Sequence, residues 1–128
     1  MSLEGELVEC AFLVPLVPDS DRKRHQPPRW RALENVLYEE FGRYSGPESW
    51  HRVHRATRPS AGEYESGAGL RVSNRSRRYI VAVPRQRLDD LRRILRHAAN
   101  TFDQEAVYLS IAGIVEFVSG TEEDGYLP

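Results

Sequence analysis

Few residues in this chain have both the type and the spacing for chemistry. His51 and His54 sit three apart beside Trp50 and Arg52. Two imidazoles at that spacing can share a metal on a helix, and His25 with Glu63 or Glu65 could complete such a site. On a strand, residues three apart point to opposite faces, which separates the pair. The segment around them reads as a strand, so no metal site is expected. Glu63 and Glu65 flank Tyr64 at even spacing, which places both carboxylates on one side of a strand. That pair suits acid–base work, and equally a hairpin edge kept soluble by charge. Cys10 is the only cysteine and lies in an apolar run, where a thiol is usually buried and inert. Gly67-Ala68-Gly69 is too short for a nucleotide-binding loop and opens no helix. No catalytic residue and no cofactor is therefore assigned.

The arginines are more suggestive. All 18 basic residues fall between Arg22 and Arg96 against eight acidic ones, a charge of +10 for a segment of a chain whose net charge is −1. Arg22, Lys23, Arg24, Arg29, Arg52, Arg55, Arg58, Arg71, Arg75, Arg77 and Arg78 surround Trp30, Trp50, Tyr44 and Tyr64 in sequence. Guanidinium groups neutralise phosphates and aromatic rings stack on bases. A nucleic acid or another anionic ligand is thus one candidate partner, with Arg52, His54, Arg55, Arg71, Arg75 and Arg77 as the binding set. Against it, the strand from Tyr79 to Val83 lacks the aromatic signature of an RNA-binding sheet. A solvated, salt-bridged surface accounts for the same residues.

The elements that must carry these side chains are legible in part. Cys10–Val17 reads as a strand buried on both faces. A loop runs from Pro18 to Pro28, and a helix from about Pro28 to Phe41, with Trp30, Leu33, Leu37 and Phe41 on one stripe and Gly42 at its stop. Glu48–Ala56 suits a strand. Glu63–Ser66 and Leu70–Val72 around the glycines suit an extra hairpin near residues 61–73. Tyr79–Val83 is a central strand ended by Pro84. Leu88, Leu91, Leu95, Ala98 and Phe102 stripe a second helix. Val107–Val118 reads as a last strand, with a bulge or bend at Gly113.

The order β-α-β-β-α-β predicts an α+β fold: a ferredoxin-like sandwich with an antiparallel sheet and both helices on one face. Phe102-Asp103-Gln104-Glu105-Ala106-Val107, the late Val115-Glu116-Phe117 and the strand lead-in from Ser76 to Pro84 resemble a bacterial family of uncharacterised ferredoxin-like domains of unknown function. The resemblance spans residues 10–118 and is most specific over 76–118. It implies the fold and names no activity or site residue.

With 128 residues a single domain is expected, with an ordered core over about 10–118 and acidic tails at 1–9 and 119–128. One cysteine, an acidic start and no long apolar run lead to a cytoplasmic protein without a membrane partner. The favoured function is a non-enzymatic binding or self-associating module, a homodimer through its open sheet face. The alternatives are the anionic-ligand binder above and a small-molecule enzyme using His51, His54 or Glu63.

Overall fold

The structure, a computed structural model, describes residues 6–18, 23–55 and 71–128, without the side chains of 51–55 and 71–74. Strand β1 spans Leu7–Pro15, helix α1 Pro27–Phe41, strand β2 Ser45–Arg55 and strand β3 Arg71–Pro84. After a 3₁₀ turn at Arg85–Arg87 come helix α2 (Leu88–Thr101), strand β4 (Ala106–Ile111) and strand β5 (Ile114–Ser119). The strands form one sheet in the order β2-β3-β1-β4-β5, and every neighbouring pair is antiparallel. The α+β expectation is met: a five-stranded antiparallel sheet with two helices, compatible with a ferredoxin-like arrangement.

Strand β1 starts at Leu7, before the expected boundary of the ordered core, and is buried mainly on one face. Val8, Cys10, Phe12 and Val14 alternate into the core, while Leu7 is 60% exposed. The continuous apolar run misleads here, because Leu16 and Val17 lie past the strand and Val17 faces solvent. Tyr79, Val81 and Val83 of β3 pair with Phe12, Cys10 and Val8, so they share that face. Both helices cover it. Trp30, Leu33 and Leu37 of α1 and Leu91, Leu95 and Ala98 of α2 are buried against it. Each large apolar side chain so buried stabilises the fold by roughly 1.5–3 kcal/mol. Gly42 stops α1 with φ +80° and an N–H donated to Tyr38 O at 2.8 Å, the left-handed exit that a missing Cβ permits.

The sequence misjudges two elements. Arg71–Ser73 does not belong to a separate hairpin: these residues open β3, one continuous strand whose Arg71 and Val72 pair with Arg55 and His54 of β2. The remainder of the expected hairpin lies outside the described residues. Gly113 marks no bulge. Ala112 and Gly113, at φ +49° and +87°, form a two-residue turn that folds the last segment into the β4–β5 hairpin.

The acidic C-terminal stretch lies along α2. Asn100 Nδ2 donates to Gly125 O at 2.7 Å and to Thr121 O, and the Leu127 N–H donates to Thr101 Oγ1 at 2.7 Å. The opposite face of the sheet, where the sequence leads one to expect a second copy, carries exposed aromatic surface among the described residues. Tyr108 meets Phe117 edge-on at 5.8 Å there, and Phe117 is 60% exposed. Among the described residues no helix is long and apolar enough to cross a membrane.

Candidate functional site

A cleft of about 660 Å³ opens between the first half of α1 and the β2–β3 ribbon, a volume in the usual range for small-molecule sites. Pro27, Trp30, Arg31 and Glu34 of α1 form one wall. Ser49 and Trp50 of β2 with Arg75, Ser76 and Arg77 of β3 form the other, and Leu16, Arg24 and His25 close one end. Helical spacing accounts for the first wall: Trp30 and Glu34 are four apart, one above the other on α1. The strand period accounts for Arg75 and Arg77, two apart on β3.

Glu34 organises the interior. Its Oε2 accepts a hydrogen bond from the Tyr79 hydroxyl at 2.6 Å and faces Arg77 Nη1 at 3.7 Å. The Arg77 guanidinium lies 4.3 Å over the Trp30 ring, a cation–π arrangement. Burial, and then the neighbouring Glu34 carboxylate, push the Tyr79 hydroxyl far above the usual phenol range, so it stays a donor. Trp50 is 43% exposed; its pairing with Ser76 turns its side chain to the sheet face away from α1, where the Arg78 guanidinium lies 5.3 Å over its ring.

His25 is buried at 6% exposure and sits edge-on to Trp30 and Phe102, at 5.7 and 4.9 Å. Its Nδ1 lies 3.1 Å from Arg29 Nη1 and must accept there, which leaves the ring proton on Nε2. That nitrogen is buried without a partner among the described residues. Burial, with the Arg29 charge added, pushes His25 down to about 4.

Of the binding set expected from the sequence, the structure brings Arg75 and Arg77 into this cleft. Arg52, His54 and Arg55 lie in β2 and Arg71 in β3, along the outer half of the ribbon, and their side chains are outside the described set. His51 and His54 both lie within β2. Glu63, Tyr64 and Glu65 fall outside the described residues. Cys10 is fully buried, its Sγ 3.7 Å from Val8 O, and burial pushes its thiol up to about 11, which leaves it unreactive. Among the described residues no cluster of His, Cys, Asp or Glu could hold a metal ion. Sequence reasoning passed over Glu34 and Tyr79. The available signal was the position of Glu34 one residue after Leu33 and four after Trp30, on the border of the apolar stripe, where a carboxylate meets the neighbouring sheet rather than bulk water.

The fold has a counterpart among solved structures. The chain is similar to a phage SAM lyase in complex with S-methyl-5′-thioadenosine, with a TM-score of 0.58 at 15% identity over 94% of this chain and 95% of that one. A phage SAM lyase in its apo state gives 0.49 at 15% identity over 94% of each chain. No protein-family model and no curated protein matches the chain. At this identity the likeness of the complexed form establishes architecture. It also overturns the expectation of a non-enzymatic binding or self-associating module as a reading of the fold: a solved protein that shares this architecture from end to end is an enzyme.

Proposed function

We propose that this chain is an enzyme that cleaves S-adenosylmethionine, on a ferredoxin-like βαββαβ core extended by β5, with the cleft between α1 and the β2–β3 ribbon as its active site. The observation that carries the reading is the end-to-end likeness to a phage SAM lyase holding S-methyl-5′-thioadenosine. The cleft supports it chemically. Glu34 is the one acidic group lining the cleft among the described residues. Held by Tyr79 and Arg77, it is the group we assign to the ribose hydroxyls and the sulfonium. When the bond from sulfur to the γ-carbon of the amino-acid arm breaks, its electron pair stays on sulfur, which becomes a neutral thioether, while an oxygen of the arm's own α-carboxylate forms the new bond to that carbon and closes a lactone.

The test is incubation of the purified chain with S-adenosylmethionine, with chromatographic detection of S-methyl-5′-thioadenosine. Release in proportion to enzyme is expected. Glu34→Gln should lower it by roughly tenfold or more, as the loss of a charge-assisted contact implies. No release above the enzyme-free rate, together with no heat on titration with the thioether, overturns the reading.

A further inference from the structure

The charge of the cleft is lopsided. Arg24, Arg31, Arg75 and Arg77 line it, against Glu34 alone among the described acidic groups. Arg77 is engaged by Glu34 and Trp30. Arg24, Arg31 and Arg75 are exposed, and among the described residues none of the three has a carboxylate partner. Guanidinium groups gathered around one concavity with low-dielectric walls raise its positive potential. Helix α1 adds to it, opening at Pro27 with no acidic residue in its first turn and no side-chain cap. The buried, unpartnered Nε2 donor of His25 lies in the wall at this same end.

S-adenosylmethionine carries a sulfonium, an ammonium and a carboxylate. Such a potential opposes the first two groups and attracts only the third. Resting on the proposed reading of the cleft, we infer that Arg24, Arg31 and Arg75 hold the α-carboxylate of the amino-acid arm, and that this group sets the specificity of the site. Guanidinium suits this task because its planar fork meets a carboxylate with paired N–H donors. Recognition by the arm also favours turnover. Once the sulfur–carbon bond has broken, S-methyl-5′-thioadenosine has lost the carboxylate and with it the contact to the rim, so the product is held less tightly than the substrate.

The experiment is a set of calorimetric titrations of the full chain with three ligands: S-methyl-5′-thioadenosine, S-adenosylhomocysteine, which keeps the carboxylate and lacks the sulfonium charge, and decarboxylated S-adenosylmethionine, which has the reverse. The wild type should bind S-adenosylhomocysteine roughly tenfold or more tightly than the truncated thioether, the size of a charge-assisted contact. It should bind the decarboxylated compound more weakly than the truncated thioether. In an Arg31→Ala/Arg75→Ala variant, S-adenosylhomocysteine should fall to nearly the affinity of the truncated thioether, whose own affinity stays unchanged. Circular dichroism checks that the variant is folded. Equal affinity of the wild type for all three ligands, or a variant that weakens all three alike, overturns this inference and leaves the proposed function standing. A wild type that binds none of the three overturns both.

Discussion

His25 offers a direct test of how the wall of the cleft is built. The ring is 6% exposed, wedged edge-on against Trp30 and Phe102. Burial and the Arg29 guanidinium both disfavour its protonation, Asp103 acts in the opposite sense, and the net position is about 4 against an ordinary 6.5. Between those limits the unfolded chain takes up a proton that the folded chain refuses, so stability falls as acidity rises. The contribution of the neutral ring is complete above pH 6.5 and is lost as pH falls toward 4. Each pH unit of separation is worth about 1.4 kcal/mol, so the full window amounts to roughly 3 kcal/mol. His25→Phe keeps an aromatic edge between Trp30 and Phe102 and removes the titrating nitrogens. At neutral pH the variant should equal or exceed the wild type, because it deletes a buried donor left unpaired, a defect costing about 1–3 kcal/mol. Arg29 is exposed and can turn to water. The assay is urea unfolding of both proteins at pH 7 and near pH 4. The carboxylates titrate alike in the two, so the difference between them isolates His25. It should widen in favour of the variant by roughly 3 kcal/mol at the acidic end. Parallel loss of stability in the two proteins refutes the reasoning.

Two further outcomes follow from the packing. Tyr79→Phe retains the ring stacked on Phe12 at 5.3 Å but removes the 2.6 Å donor to Glu34; it should cost roughly 1–2 kcal/mol in urea unfolding and lower S-adenosylmethionine cleavage. Gly120→Ala places a Cβ 2.8 Å from Arg96 O and 3.0 Å from Ala99 Cβ. That contact would force the end of β5 off α2, at a cost of about 1–3 kcal/mol, read as a fall of several degrees in Tm.

The parts of the fold legible in the sequence are those whose order comes from burial. Trp30, Leu33 and Leu37 with the stop at Gly42 announce α1, and Leu91, Leu95 and Ala98 announce α2, because a helix that covers a sheet must carry an apolar stripe. Parts ordered by backbone pairing leave no such mark. The polar pair Asn74-Arg75 falls between the expected hairpin and the expected strand, yet it is held as strand by cross-strand pairing to Arg52 and His51. The β4–β5 turn hides because Ala112 adopts a φ of +49°, a conformation seldom signalled by alanine. The site divides in the same way. Arg75 and Arg77 were legible as part of a charged segment. Glu34 was one acid among three on α1, and Tyr79 looked like any core aromatic. Their pairing depends on how α1 crosses β3, which is a property of the packed structure rather than of either segment.

The same packing changes what the charge pattern means. Along the chain the acids crowd the ends and the arginines the middle. In space many of them meet: Glu6 pairs with Arg85 at 2.8 Å, Glu116 with Arg92 at 2.7 Å, and Asp124 with Arg96 at 3.6 Å. Arg78 pairs with Glu48, and Arg87 with Glu40 and Asp90. Exposed pairs of this kind contribute about 0–1 kcal/mol each, so their main effect is on the potential rather than on stability. They neutralise the helix layer and the strands beside it, so the continuous basic stripe suggested by the sequence is broken up. Among the described residues, Arg24, Arg31 and Arg75 line the cleft without a carboxylate partner, beside the Glu34–Arg77 pair. Guanidinium groups gathered at one pocket of small-molecule size suit a compact ligand with a single anionic group better than an extended polyanion, which needs a row of such charges along its length.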